Sequence, residues 1–219
     1  LLKVLLDMSS SGLSCKESSL NIKGKPMHLD IDQKAKGLIF DLDGTLADSM
    51  PIHFRAWQQA ARENGFTFTE ELFYGLAGMP TYKIVPVLNE RLGLDLDPGG
   101  FSRRKEELFL EYLRDLEPIK PVAELVYKYH GKLPMSVGTG GRKHIAELTL
   151  KMMGIDRYID IIVSADDVKN HKPFPDTFLK CAKMMGVEPR YCQVFEDGDM
   201  GILAAERAGM IVTDVRKYL

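Results

Sequence analysis

The stretch GLIFDLDGTLADSM, residues 37–50, places two acidic residues directly after a continuous apolar run. Such a run is typical of a central parallel strand that is buried on both faces. Asp41 and Asp43 are separated only by Leu42. Two carboxylates this close repel each other, and their burial is costly unless a positive charge compensates. The stretch therefore predicts a buried strand that ends at a site for a compensating cation.

The same pattern returns later in the chain. Four further apolar runs cover residues 133–140, 159–165, 192–199 and 210–215, and segments with helical periodicity lie between them. Strands that alternate with helices at this spacing indicate a parallel sheet. The sequence therefore predicts an α/β fold with a doubly wound parallel sheet.

Residues 51–116 interrupt this alternation with four helical patterns and no convincing strand. Pro86 lies inside the third of these patterns, so we expect that helix to be kinked or split. We predict a core formed by residues 31–50 and 117–219, with a helical insert at 51–116.

Length and charge limit the classes of function. The chain has 219 residues and a formal net charge of −2, which fits one compact domain, or a domain with an insert, and gives no reason to expect a nucleic-acid partner. Its three cysteines have no paired spacing, so we expect neither a disulfide framework nor a zinc site, and we expect a cytoplasmic location. No heptad or apolar stripe stands out, so we expect a monomer without a membrane partner.

The first 30 residues differ in composition from the rest. The opening LLKVLLDM is too short to span a bilayer, and a poor cleavage site for a signal peptide follows it. The Ser- and Lys-rich run at residues 9–25 has the composition of a disordered segment. We predict that residues 1–30 are a disordered or non-native extension.

Ligands of open α/β sheets bind beyond the carboxyl ends of the strands. Residues that could bind a ligand follow four successive strands, either through a polar side chain or through the N–H of a turn, and they are Asp41, Asp43, Thr139, Gly140, Lys172, Glu196 and Asp197. Clustered carboxylates favour a hard cation such as Mg²⁺. A lysine, a hydroxyl and the N–H groups of Gly-rich turns can bind the remaining oxygens of a phosphate.

This set of groups can carry phosphoryl transfer. A carboxylate is already ionised at neutral pH, so it can attack phosphorus and form an aspartyl-phosphate. A second carboxyl two residues further on can protonate the leaving oxygen. Each motif alone is weak, since most acidic pairs and Lys-Pro steps are ordinary loop residues. Their joint placement at four strand ends carries the prediction.

The motifs FDLDGTLADS, VGTG, HKPFPD and FEDGDMGILAAERAGM resemble the four signatures of the haloacid dehalogenase superfamily of phosphohydrolases. The resemblance runs from Lys36 to the end of the chain, and it implies that the helical insert is a small cap domain over a Rossmann-like core. Within the superfamily the chain is similar to the β-phosphoglucomutase-like branch, and within that branch to sugar phosphatases of the fructose-1-phosphatase type.

The resemblance also implies a role for each residue. Asp41 would be the nucleophile and a metal ligand, and Asp43 the general acid and then the base, with its backbone carbonyl on the metal. Thr139, Gly140 and Lys172 would bind the phosphoryl group. Asp197 would complete the Mg²⁺ site, with Glu196 as a ligand or as a support behind the ligands.

In this superfamily the cap selects the substrate by closing over the site. The resemblance implies that His53, Gly78 and Lys105 contact the substrate from the cap. Trp57 is instead expected in the core of the cap.

The sequence leaves two enzymatic functions open, and a non-catalytic function is a third alternative. The first is a Mg²⁺-dependent phosphatase for a small phosphorylated metabolite such as fructose-1-phosphate. The alternative, β-phosphoglucomutase, needs a second phosphate clamp in the cap, usually an arginine. At that place the sequence has Thr81, with Lys83 nearby, which favours hydrolysis. A non-catalytic phospho-acceptor module is disfavoured, because such receiver domains lack both the DxD motif and the insert.

Overall fold

A computed structural model describes residues 28–76 and 79–219 of the chain. Five strands form one parallel sheet in the order β3-β2-β1-β4-β5. The strands are β1 Gly37–Phe40, β2 Met135–Gly138, β3 Ile161–Val163, β4 Cys192–Glu196 and β5 Ile211–Asp214. The predicted fold class is confirmed, since helices surround this sheet and every strand pairing is parallel.

Eight α-helices connect or flank the strands in the described part of the chain. Between β1 and β2 lie α1 Met50–Glu63, α2 Glu70–Gly75, α3 Thr81–Leu92, α4 Pro98–Tyr112 and α5 Lys120–Tyr129. The later helices are α6 Lys143–Met152, α7 Asp176–Met185 and α8 Asp199–Arg207. Helix α7 ends at Gly186, whose φ of 67° suits the left-handed position that follows a helix.

The central strand β1 is buried on both faces, as its apolar run predicts. Leu38 and Phe40 belong to one hydrophobic cluster, whereas Ile39 belongs to a second cluster on the other side. Successive side chains of a strand point to opposite faces, so a strand covered on both sides needs apolar residues at every position.

Helices α1–α4, which we call the helical insert, share the first of these clusters. Trp57 and Phe109 of the insert belong to the same buried cluster as Leu38 of the sheet. We expected Pro86 to kink or split the third helix, and the split is contradicted, because α3 continues from Thr81 to Leu92. Pro86 lies on the exposed side of α3, where water can replace the one lost backbone hydrogen bond.

The chain enters and leaves the helical insert through two paired segments. Asp48 N donates to Glu117 O over 3.0 Å, and Ile119 N donates to Leu46 O over 2.9 Å. These two bonds join residues 46–48 to residues 117–119 as a short two-stranded ribbon, which we call the hinge ribbon.

The segment predicted as a disordered or non-native extension, residues 1–30, lies largely outside the described residues. Within residues 28–30, Leu29 is buried, and Asp30 accepts hydrogen bonds from Tyr129 Oη and Lys128 Nζ. Packing against the core therefore begins before residue 31. Across the described ranges, no helix combines the length and the apolar character that crossing a bilayer requires.

Candidate active site

The candidate active site lies at the carboxyl edge of the sheet, where the strand order reverses. From β1 the chain moves outward to β2 and β3, and it then returns to the other side of β1 to form β4 and β5. Ligands of open α/β sheets bind in the crevice at such a reversal. The ends of β1 and β4 flank this crevice.

The turn after β1 presents Asp41 and Asp43 on the same side of the chain. Asp41 N donates to Phe195 O over 3.0 Å, which continues the pairing of β1 with β4 beyond the strand. Leu42, between the two acids, is buried, and its carbonyl accepts the N–H of Leu46 over 3.0 Å. Asp41 and Asp43 both line the crevice, whereas Leu42 between them packs into the hydrophobic core.

Lys172 is the cation at the centre of the site. Its Nζ lies 2.5 Å from Asp41 Oδ1 and 2.6 Å from Glu196 Oε1, and its side chain is 1% exposed. The other oxygen of Glu196 accepts the N–H of Gly198 over 2.6 Å. A Cβ atom at Gly201 would overlap the Glu196 carboxylate, so only glycine fits there. The backbone of this turn therefore fixes Glu196, and Glu196 helps to fix Lys172.

The acidic residues outnumber this lysine. Carboxylate oxygens of Asp41, Glu196 and Asp197 lie within 4.8 Å of one another. Burial raises the pKa of Asp41 well above its usual range, although the Lys172 charge opposes the rise. Burial and the Glu196 charge raise the pKa of Asp197 to about 6. An all-oxygen set of buried carboxylates with excess negative charge fits a hard divalent cation such as Mg²⁺.

Asp43 belongs to a separate hydrogen-bonded chain that leads into the helical insert. Its Oδ1 accepts from Ser49 Oγ over 2.6 Å and lies 3.0 Å from His53 Nε2. Lys105 Nζ lies 2.7 Å from His53 Nδ1. Because an ammonium group can only donate, Nδ1 accepts from Lys105, and Nε2–H donates to Asp43. Helix α4 is therefore connected to the carboxyl edge of the sheet through the His53 imidazole.

The electrostatics of this chain keep Asp43 ionised. Burial by itself raises the pKa of Asp43, but the bonds from His53 and Ser49 and the nearby positive charges lower it to about 2. Burial, together with the Lys105 charge, lowers the pKa of His53 below its usual value. Burial also lowers the pKa of Lys105 to about 8. The imidazole stacks on the Phe109 ring with centroids 4.0 Å apart, which holds its plane.

The turn after β2 carries the predicted phosphate-binding residues. Thr139 is buried, and its Oγ1 accepts the N–H of Gly141 over 2.9 Å. The hydroxyl proton of Thr139 is therefore left to donate into the cavity, where Gly140 and Gly141 also form part of the wall. A Cβ at Gly141 would stand 3.8 Å from Asp43 Oδ2, so this turn approaches the second oxygen of Asp43 closely.

The structure brings most of the sequence-predicted residues to one place. The residues that line the same cavity are Asp41, Asp43, His53, Lys105, Thr139, Gly140, Glu196 and Asp197. Lys172 lies directly behind the acidic groups, in contact with Asp41 and Glu196. Trp57 also lines the cavity, although it is 3% exposed and packs against Phe68 in the insert. Gly78, predicted as a substrate contact, lies outside the described residues.

Sequence reasoning missed two hydroxyl residues beside the acids. Thr45 Oγ1 donates to Asp197 Oδ1 over 2.7 Å, and Ser49 Oγ donates to Asp43. Both lie in the quoted stretch that follows β1. These two residues could have been predicted from their proximity in sequence to Asp41 and Asp43, because buried carboxylates need hydrogen-bond donors.

Residues 38–215 match the model of the haloacid dehalogenase-like hydrolase family. The chain belongs to this family. The residues that carry the four sequence signatures lie at the ends of β1, β2 and β4 and on the loop after β3.

Individual proteins of known sequence or structure agree with this membership. The chain is 45% identical to the fructose-1-phosphate phosphatase YqaB of Escherichia coli over 185 residues, which are 84% of this chain and 98% of that protein. A hydrolase from Pseudomonas syringae superposes with a TM-score of 0.74 at 26% identity, over 84% of this chain and 89% of that one. A β-phosphoglucomutase from Clostridium difficile shares the fold, with a TM-score of 0.73 at 23% identity over 81% and 83% of the two chains.

Proposed function

We propose that the protein is a Mg²⁺-dependent phosphatase that hydrolyses a small phosphomonoester, a sugar phosphate similar to fructose-1-phosphate, through an aspartyl-phosphate on Asp41. The observation that carries the proposal is the gathering of Asp41, Glu196 and Asp197 around Lys172 in one buried cluster. The likeness to the Escherichia coli fructose-1-phosphate phosphatase supports the choice of substrate class.

In the first step, a carboxylate oxygen of Asp41 attacks phosphorus, and the bond from phosphorus to the sugar oxygen breaks. Lys172 and the Thr139 hydroxyl bind the phosphoryl oxygens. Asp43 gives its proton to the departing sugar oxygen. A phosphate dianion beside Asp43 favours the protonated carboxyl, because like charges raise a pKa, so binding of the substrate prepares the acid.

In the second step, water attacks the phosphorus of the aspartyl-phosphate. Asp43 is now ionised, and it takes one proton from that water as the new P–O bond forms. The bond to Asp41 breaks, which releases inorganic phosphate and restores the Asp41 carboxylate. Asp43 ends the cycle protonated, as it began in the complex. Its bonds from Ser49 and His53 hold one oxygen in place, so the other faces the reacting atoms.

The residues that would hold Mg²⁺ are Asp41, Asp197 and the backbone carbonyl of Asp43, with Glu196 as a ligand or a support. When bound, the ion would offset the charge of the carboxylates and of the phosphoryl oxygens. Both oxygens of Glu196 are engaged, one by Lys172 and one by Gly198, which favours the supporting role.

Removal of divalent cations should stop turnover. Excess EDTA should lower phosphate release to background, and added Mg²⁺ should restore it, because Lys172 alone leaves two carboxylate charges of the cluster uncompensated. EDTA saturated beforehand with Mg²⁺ is the control for direct inhibition by the chelator. Activity that survives exhaustive chelation would remove the metal from the proposal.

Hydrolysis is favoured over the mutase reaction by the charges of the helical insert. Among the described residues of the insert that line the cavity, Lys105 is the one lysine or arginine, and it already donates one hydrogen bond to His53. Thr81 stands at the place of the arginine that clamps a second phosphate in mutases. A bisphosphate would therefore lack a strong cation on this side.

The products of the reaction test the proposed function. We expect release of inorganic phosphate from fructose-1-phosphate without any bisphosphate activator, measured on a panel that also contains other sugar phosphates, pyrophosphate and nucleotides. Conversion of β-glucose-1-phosphate to glucose-6-phosphate, without net phosphate release, would instead establish the mutase. Release of phosphate from none of these compounds would overturn the proposed function.

The remaining proposals concern organisation and setting. We propose that residues 51–116 act as a cap on the core formed by 31–50 and 117–219, because helices of the insert form one wall of the cavity. We also propose a cytoplasmic monomer without a nucleic-acid or membrane partner. The near-neutral net charge supports the absence of a nucleic-acid partner.

A further inference from the structure

Two charged residues of the cavity wall take no part in the chemistry described above. Glu106 lies on α4 of the helical insert, and Arg142 lies at the start of α6 in the core. Arg142 Nε is 3.2 Å from Glu106 Oε1, and both residues line the cavity. The Glu106 side chain is 15% exposed and that of Arg142 is 40% exposed, so the pair remains open to a ligand.

Both residues directly follow a residue that is connected to Asp43 or lies close to it. Glu106 follows Lys105, whose amine is linked through one imidazole to Asp43 Oδ1. Arg142 follows Gly141, which approaches Asp43 Oδ2. Under the proposed function, Asp43 protonates the oxygen of the departing group. The remainder of that group would therefore extend from Asp43 into the cavity that Glu106 and Arg142 also line.

Both members of the pair keep unused hydrogen-bonding atoms. In the described part of the chain, the Arg142 Nε–Glu106 Oε1 contact is the one hydrogen bond or ion pair found for these two side chains, so both Nη groups of Arg142 and Glu106 Oε2 are free. The surrounding wall is largely apolar, with Met79, Ile84 and Ile145 among its side chains. Free donors and a free acceptor beside apolar side chains are the pattern of a site that orients a ligand.

We propose that Glu106 and Arg142 together bind hydroxyl groups of the leaving group and thereby select phosphate esters of polyols over phosphate esters of apolar alcohols or phenols. This inference rests on the proposed phosphatase function. A carboxylate accepts hydrogen bonds from hydroxyls, and a guanidinium donates to hydroxyl and carbonyl oxygens. The pair can therefore bind a neutral polar group.

The two residues come from different parts of the fold, and this gives the contact a second consequence. Glu106 belongs to the helical insert and Arg142 to the core, so hydroxyls bound between them join the two parts. A polyol leaving group therefore holds the insert against the core while the phosphoryl group reacts.

The test compares two substrates in the Glu106→Gln and Arg142→Gln variants of the full chain. Fructose-1-phosphate has hydroxyls on its leaving group, whereas p-nitrophenyl phosphate has none. We expect the ratio of kcat/KM for fructose-1-phosphate to kcat/KM for p-nitrophenyl phosphate to fall roughly tenfold or more in each variant, because charge-assisted hydrogen bonds are lost for one substrate alone. Most of the fall should come from KM for the sugar phosphate.

Glu107→Gln is the matched control. Glu107 is the next residue on α4, is exposed, and pairs with Arg104 on the outer surface, so the substrate ratio should stay within twofold, about the error of such a ratio. An equal loss on both substrates in Glu106→Gln would show that the pair only holds the insert in place, and it would overturn the inference. An unchanged ratio would overturn it as well.

The assay also separates this inference from the proposed function. If the unmodified protein hydrolyses p-nitrophenyl phosphate but not fructose-1-phosphate or other polyol phosphates, the phosphatase chemistry stands and the inference fails. If it hydrolyses neither class of compound, the proposed function fails and the inference fails with it.

Discussion

Asp41→Asn should leave less than about a hundredth of the phosphatase activity, and we expect a loss of roughly a thousandfold, which corresponds to about 4 kcal/mol of barrier. An amide is a far poorer nucleophile than a carboxylate, and Asp41 is the residue whose oxygen would form the bond to phosphorus. The shape of the side chain is kept, so the fold should persist. Phosphate release measures the loss, and circular dichroism with thermal unfolding checks the fold.

Asp48→Asn is the matched control for this variant. Asp48 lies in the same stretch of sequence, but it is exposed, so its substitution should leave the rate nearly unchanged. If Asp41→Asn keeps more than about a hundredth of the activity while folded, another residue attacks phosphorus, since loss of a nucleophile costs several kcal/mol.

Lys172→Ala should lower both stability and activity. Lys172 is buried between Asp41 and Glu196, so its removal leaves two buried carboxylates without their cation. Breaking a buried ion pair from one side costs about 3–5 kcal/mol of unfolding free energy. Denaturant unfolding measures this change, and phosphate release should fall at the same time because a phosphoryl-binding cation is lost.

The comparison for this variant is Lys180→Ala on helix α7. Lys180 Nζ lies 3.4 Å from Asp167 Oδ1, and its side chain is 37% exposed, so the loss of that ion pair should cost less than about 1 kcal/mol. Added Mg²⁺ should recover part of the lost stability of Lys172→Ala, because a ligand that binds only the folded state stabilises it. A stability for Lys172→Ala that equals that of Lys180→Ala would mean that Lys172 does not neutralise the acidic cluster.

The sequence was sufficient for the sheet because burial of a strand is a local pattern. Apolar residues at every position of β1 predict cover on both faces, and the structure places Leu38 and Ile39 in separate clusters. The predicted runs were a few residues longer than the strands, since apolar residues continue into the turns. Of the kink or split expected at Pro86, the split does not occur, because neighbouring buried side chains, Ile84 and Leu88 among them, hold α3 in the hydrophobic cluster.

The site was predictable only in part, because contact between distant residues depends on strand order and on helix rotation. Parallel strands bring their carboxyl ends to one edge, so the acids and Thr139 could be placed from their positions alone. Glu106 could not be placed at the site from the sequence, because the run RRKEE is typical of a solvated helix face. The rotation of α4 determines which of these residues face the cavity. Lys105 lies one helical turn after Phe101 on the buried side of α4, and this spacing was the sequence pattern that indicated its burial.

The hinge ribbon, residues 46–48 with 117–119, begins immediately after the turn that holds Asp43. Gly44 N donates to Ala47 O over 2.9 Å, so the ribbon and the Asp43 turn are one hydrogen-bonded unit. If the insert acts as the proposed cap, two crossing points held side by side would restrict its rotation to one axis. That axis would pass close to the turn that holds Asp43, so opening of the cap would be coupled to the orientation of the proposed proton donor.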